Sequence, residues 1–195
     1  MAASTPGTEI GRARGDPGRL GRWFHRLRGR PLRFDLSPYR ARLQRIGALE
    51  AELRHLSDGA LLARAQAHRT LPRAGTDEAQ CQVLALAREA ARRGLGLRAF
   101  DVQIIGAMVL AEGRILEMET GEGKTLVAVL AAAWAALSGR RVHVLTFNDY
   151  LAGRDAAWMG PAYQRLGLEV RAIHAAMGPA ARRHAYDADV TYLTA

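Results

Sequence analysis

Met118-Glu119-Thr120-Gly121-Glu122-Gly123-Lys124-Thr125 is the stretch that decides the fold. Gly121 and Gly123 let the backbone turn so that successive N–H groups converge on one point, which is how a chain cradles a phosphate. Lys124 is the only lysine among 28 Lys and Arg residues. A chain that uses arginine elsewhere and lysine here has a site suited to a compact ammonium, not a planar fork. Before the loop, Ile115-Leu116-Glu117-Met118 predicts a short strand. After it, the run from Lys124 to Leu137, rich in Ala, Leu and Val, predicts a helix stopped by Gly139. Strand, glycine loop and helix in that order put the loop at a helix N-terminus, where backbone N–H groups and the helix dipole favour an anion.

The strict phosphate-loop pattern has Gly at the position held here by Met118, so what remains is Thr-Gly-x-Gly-Lys-Thr. Within it, Lys124 is expected to reach the β- and γ-phosphates of a nucleotide and the Thr125 hydroxyl to ligate Mg²⁺. The Glu119 and Glu122 side chains would repel phosphate if they pointed inward, so both are expected to face solvent.

Beyond the loop, strand and helix patterns alternate. Val142–Phe147 predicts a mostly apolar strand of the buried, parallel type. A helix from about Tyr150 to Leu166, a strand over 168–173, a helix from Pro179 to Tyr186 and a strand from Val190 follow. Three βα units with short connections imply an α/β fold, a parallel sheet flanked by helices. The region before the loop is different. Pro38 opens an amphipathic helix to about residue 55, Ser57 can cap a second, and Thr76 caps a third that ends at Gly94-Leu95-Gly96. A fourth, Asp101 to Ala111, leads into the α/β part.

The chain of 195 residues is 49% hydrophobic, enough to bury one sizeable core. Cys81 is the only cysteine, which excludes an internal disulfide framework; its apolar helical setting predicts a small buried hydrophobe. The net charge of +9 is uneven, since residues 1–30 carry seven arginines against Glu9 and Asp16. Residues 1–17 lack an apolar period and are expected to be disordered. Leu20, Trp23, Phe24 and Leu27 then form one helical stripe set among arginines. That pattern suits a short basic helix on an anionic membrane surface, or a tail docking its aromatics on the body. No run of 18 apolar residues occurs, so no spanning helix is expected, and no secretory signal is visible. The histidines show no metal spacing; His143 is expected to be partly buried, and Trp134 and Trp158 to pack on helices.

Phe100-Asp101-Val102-Gln103, the loop 118–125 and Val142–Asp155, with Trp158–Pro161 and Ala185–Tyr192, closely resemble the SecA family over about residues 35–195. That family comprises ATPase motors of bacterial preprotein translocation. The resemblance implies a P-loop NTPase fold, RecA-like as in superfamily-2 helicases. It divides the chain into a basic arm (1–34), an N-terminal helical region (35–98) and a partial RecA-like nucleotide-binding domain (99–195). By the same resemblance Gln103 reads the adenine edge, while Gly121, Glu122, Gly123, Lys124 and Thr125 hold the phosphates and Mg²⁺ of ATP. Asn148, Asp149, Arg154 and Asp155 belong to the family's second motif, where helix capping and loop ordering are expected of them. The implied partners are the SecYEG channel, preproteins and anionic phospholipids, with a homodimer as a further arrangement. The implied location is cytoplasmic, peripheral on the inner membrane.

Two departures limit this. The family usually continues Tyr-Gly-Thr-Asn where this chain has Tyr192-Leu193-Thr194-Ala195, which suggests a divergent or accessory paralogue. No apolar run ending in Asp-Glu follows residue 125, and Asp187 and Asp189 precede the strand at Val190, so a Walker B acid for hydrolysis is missing. The chain is therefore expected to be an N-terminal piece of a larger motor and hydrolytically incomplete alone. The alternatives are a non-hydrolysing nucleotide- or membrane-binding fragment, or a superfamily-2 nucleic-acid helicase. The near-neutral body charge disfavours nucleic acid as a partner.

Overall fold

A computed structural model describes residues 36–70 and 76–194. The arm over 1–34, with its expected disorder and its Trp23 and Phe24 stripe, lies outside the described residues. The chain divides into two units after Ala41. Of the first, only 36–41 are described; they enter helix α1 (Ser37–Leu53), with Tyr39 N donating to Leu36 O at 3.1 Å. The rest of the fold belongs to the second unit.

Helices α2 (Asp58–Thr70), α3 (Asp77–Leu95) and α4 (Asp101–Ala111) come next, followed by α5 (Lys124–Leu137). Their ends follow local chemistry. Ser57 Oγ accepts from Ala60 N at 3.2 Å and Thr76 Oγ1 from Ala79 N at 3.2 Å, each satisfying a first-turn donor. Gly96 closes α3 in the left-handed region, its N–H donating to Arg92 O. Helix α3 is the axis of the core. It buries Cys81, the run Val83–Ala87, Ala90 and Ala91, and packs against α5 and α6 (Asp149–Arg165). Its small residues allow close approach; Leu126, Leu130 and Leu137 of α5 are buried, as are Ile104 and Met108 of α4, which packs against α5. Each large apolar side chain buried this way contributes roughly 1.5–3 kcal/mol.

Strands β1 (Val142–Thr146), β2 (Val170–Ala172) and β3 (Val190–Thr194) form one parallel sheet in the order β1-β3-β2. Val190 is opposite both Val142 and Val170. Helix α6 links β1 to β2, and α7 (Pro179–Tyr186) links β2 to β3. The central strand is the most buried: Val190, Thr191 and Tyr192 are inaccessible, and Thr191 Oγ1 donates to Ala185 O at 2.9 Å.

Several sequence expectations are corrected. Ile115–Met118 is not a strand: the segment 114–119 is irregular and Ile115 is 97% exposed. An apolar run becomes a strand only when a neighbour takes up its N–H and C=O groups, and no ladder partner for it occurs among the described residues. Strand β1 is buried on neither face. Val142, Val144 and Thr146 are half-covered, while His143 and Leu145 are exposed, because among the described residues β1 is an edge strand paired only to β3. His143 is thus an exposed imidazole lying tilted against the Tyr186 ring, centroids 5.3 Å apart. Trp134 is half-buried, but Trp158 is exposed on α6.

Candidate functional site

The loop 118–123 runs straight into α5. Gly121 (φ 93°) and Gly123 (φ 78°) both take left-handed backbone, which an L side chain adopts only at a cost, and Gly123 is the N-cap of the helix. Gly123 O accepts from Leu126 N at 2.9 Å and Val127 N at 3.2 Å. No side chain caps the helix and no acid lies in its first turn, so the acids nearest the positive end of α5 are Glu119 and Glu122 of the loop, both exposed. A Cβ at Gly121 would meet nothing within 4 Å, so the outer side of the turn is open to a ligand.

Lys124 is exposed, its Nζ donating to Met118 O at 2.7 Å and Glu119 O at 2.6 Å. The ammonium thus lies across the mouth of the loop on two carbonyls of its own turn. Thr125 is half-buried on the first turn of α5, and the Glu119 and Glu122 side chains are exposed. The donor set is backbone N–H groups, one ammonium and one hydroxyl, which matches a phosphate chain carrying a hard, oxygen-seeking cation. Among the described residues no group of three or more His, Cys, Asp or Glu side chains is placed to hold a metal ion unaided.

Gln103 joins the loop from behind. It lies in the first turn of α4 and is 6% exposed. Its Oε1 accepts from Phe100 N at 2.9 Å, and its Nε2 donates to Glu122 O at 2.8 Å. The first contact is one half of a capping box, with Gln three residues after the N-cap. The second fixes the peptide just before Gly123. Each end of the carboxamide keeps one unused position, an N–H on Nε2 and a lone pair on Oε1. The Phe100 side chain beside it is 70% exposed. The grip of Gln103 on the loop backbone is not among the sequence expectations, although the Phe100-to-Gln103 spacing is its sequence signal.

Asn148, Asp149, Arg154 and Asp155 make local contacts around the start of α6. Asn148 caps α6, its Oδ1 accepting from Leu151 N at 2.9 Å. Asp149 Oδ2 accepts from Ala175 N at 2.6 Å and its Oδ1 from Thr194 Oγ1 at 3.3 Å. One carboxylate therefore ties the start of α6 to the end of β3 and to the loop after β2. Arg154 pairs with its neighbour Asp155 at 2.7 Å. Asp187 and Asp189 lie at the opposite, leading end of β3. Asp187 meets Arg141 at 3.1 Å; Asp189 pairs with Arg69 and accepts from Glu169 N at 2.8 Å. They are turn-bracing groups remote from the carboxyl ends of the strands.

The family model for the SecA DEAD-like domain matches residues 24–195. Among similar proteins, the protein translocase subunit SecA of Thermus thermophilus is 54% identical over 156 residues, 80% of this chain and 16% of that protein. SecA 1 of Rhodopseudomonas palustris is 49% identical over 177 residues, 90% of this chain and 19% of its own length. The chloroplastic SecA of Ostreococcus lucimarinus is 48% identical over 170 residues, 86% of this chain and 18% of its own. The chain thus spans less than a fifth of the length of these relatives. With a family match over most of its length and relatives at this identity, the chain belongs to the SecA DEAD-like domain family.

Proposed function

We propose that residues 99–194 bind Mg-ATP, as part of a RecA-like P-loop domain whose loop 118–125 holds the phosphates. Lys124 turns from the Met118 and Glu119 carbonyls to the β- and γ-phosphates, and the Thr125 hydroxyl ligates Mg²⁺. The amides of Gly121, Glu122 and Gly123 surround the phosphate oxygens. Gln103 faces adenine, its spare N–H donating to N7 and its spare lone pair accepting from N6. Guanine would offer O6 to that same oxygen and be repelled.

The observation that carries this reading is the bond from Gln103 Nε2 to Glu122 O. It puts a carboxamide of fixed orientation behind a glycine turn that opens a helix with no acid in its first turn.

In a longer protein, this segment would serve a SecA-like motor that couples ATP hydrolysis to preprotein translocation across the bacterial inner membrane. The SecYEG channel, preproteins and anionic phospholipids would be its partners on the cytoplasmic face. The 195 residues alone bind without turnover, for want of a Walker B acid. Calorimetry with Mg-ATP is the test: saturable binding that Lys124→Ala abolishes is expected. Unchanged affinity in the variant, or sustained phosphate release from the purified chain, would overturn the reading.

A further inference from the structure

Arg88 is the bulkiest of the fully buried side chains described, 1% exposed in the middle of α3. Its guanidinium is wholly committed. Nε donates to Ala99 O at 2.8 Å, Nη2 to Asp101 Oδ1 at 2.8 Å, and Nη1 lies 3.4 Å from Glu50 Oε2. Glu50 is itself buried, and is gripped by Arg98 through Nε at 2.6 Å and Nη2 at 2.8 Å and by Arg54 at 3.1 Å. Residues 98, 99 and 101 are therefore all held by one buried cluster built on α1 and α3. A buried ion pair contributes little net stability compared with apolar packing of the same volume, but it sets geometry sharply. Guanidinium suits that task, because its planar fork fixes three acceptors at once.

The segment so fixed is the approach to α4. Phe100, between the two contacts of Arg88, presents its N–H to Gln103 Oε1, and Gln103 Nε2 reaches the loop at Glu122 O. The chain of contacts is continuous: Glu50 to Arg88, to the 99–101 backbone, to Gln103, to the peptide preceding Gly123. We propose that Arg88, held by Glu50, is a positioning residue for base recognition, setting the segment 98–101 so that the Gln103 carboxamide meets the nucleobase in one orientation. This rests on the assignment of Gln103 to adenine. Arg88 touches no ligand; its effect passes through Gln103, so it governs which base is preferred more than it governs the hold on the phosphates.

The test compares Mg-ATP, Mg-GTP and tripolyphosphate binding to the purified protein and to Arg88→Lys, which keeps the charge and loses the fork. ATP affinity is expected to fall about tenfold and the ATP-over-GTP preference with it, with a clearly smaller loss of tripolyphosphate affinity, the size of a broken coupling between neighbours. In a Gln103→Ala background the same substitution should cost nothing further. An unchanged preference in folded Arg88→Lys overturns the proposal, as does an equal loss of tripolyphosphate, which would mark a purely structural role. If circular dichroism shows Arg88→Lys unfolded, Asp101→Ala takes its place, since that side chain is 67% exposed and its loss removes a single contact of Arg88. It should lower the preference about threefold, and an unaltered preference overturns the proposal equally. The underlying assignment fails differently. An unsubstituted protein that binds neither ATP nor tripolyphosphate refutes the nucleotide site. One that binds ATP and GTP alike refutes the role of Gln103 alone. The proposal falls with either.

Discussion

Gln103 Nε2 lies 2.8 Å from Glu122 O, so a helix side chain holds the peptide that leads into Gly123. That bond has a steric corollary one residue on. A Cβ added at Gly123 would clash with the same Nε2 and would also strain left-handed backbone, φ 78°. At Gly121 (φ 93°) the added atom would meet nothing within 4 Å. Gly121→Ala therefore costs only the left-handed penalty, about 1–2 kcal/mol. Gly123→Ala should cost more than that and also dislodge Gln103. Chemical denaturation of both variants gives the stability order, and calorimetry should find ATP binding weakened more in Gly123→Ala. Equal effects at the two glycines would refute the bracing role of Gln103.

Glu50 and Glu89 supply a pH dependence. Burial by itself would raise the Glu50 carboxyl. Hydrogen bonds from Arg98 and Arg54 and the charge of Arg88 outweigh it and hold the group below its ordinary 4.5. Glu89 behaves likewise, burial being outweighed by Arg92 and Arg93. A carboxyl whose folded value is depressed stabilises the fold in full above its ordinary value, and that contribution is lost as pH falls through the folded value. The melting temperature should therefore be level above about pH 4.5 and fall steeply below it. Glu50→Gln removes the charge shared by Arg88, Arg98 and Arg54 while Arg88 keeps Asp101 and Ala99 O, so it should cost about 1–3 kcal/mol at neutral pH and flatten the acid limb. A limb of unchanged slope would assign the acid sensitivity to other groups.

Helix ends are legible in the sequence because single residues with local reasons set them. Thr76, Gly96, Lys124, Gly139 and Pro179 mark the boundaries that their chemistry predicts. The glycine turn ahead of α5 is legible for the same reason, as a local backbone motif. Strand character is less so. Ile115–Met118 and Val142–Phe147 have similar apolar patterns, but one is irregular and the other an edge strand, since pairing depends on neighbours far along the chain. The Arg88–Glu50 cluster escapes a reading by charge, in which such residues belong to a solvated face. Its signal is periodicity: Leu84, Arg88 and Ala91 fall at i, i+4 and i+7 on the buried face of α3, as do Ile46, Glu50 and Leu53 on α1.

Helix α3 meets α6 where a side chain has no room. A Cβ at Gly94 would sit 2.8 Å from both the carbonyl carbon and the oxygen of Pro161. Gly94→Ala should destabilise by about 1–3 kcal/mol, because backbone must move and the helix-propensity gain is smaller. Gly47, inside α1 with nothing within 4 Å of its added Cβ, is the control. There, Gly47→Ala should stabilise by about 0.5–1 kcal/mol. Urea denaturation of the two variants checks the opposite signs; two stabilising substitutions would mean that α3 and α6 are not in backbone contact.

Tyr163 on α6 and Tyr192 on β3 bind each other through their hydroxyls at 3.1 Å, with rings edge-on and centroids 6.5 Å apart. Both are buried; burial pushes the Tyr163 phenol well up and raises that of Tyr192 to about 12, so both are protonated at neutral pH. Each hydroxyl is then the other's means of avoiding an unsatisfied polar atom in the core. Removing one strands its partner, so Tyr163→Phe and Tyr192→Phe should each cost about 1–3 kcal/mol. Removing both leaves two apolar rings of nearly the same shape, and the double variant should be closer to the original protein than either single one. A double-mutant cycle by urea denaturation measures this. Strictly additive losses would show that each hydroxyl is satisfied independently and that the pair does not lock α6 onto the central strand.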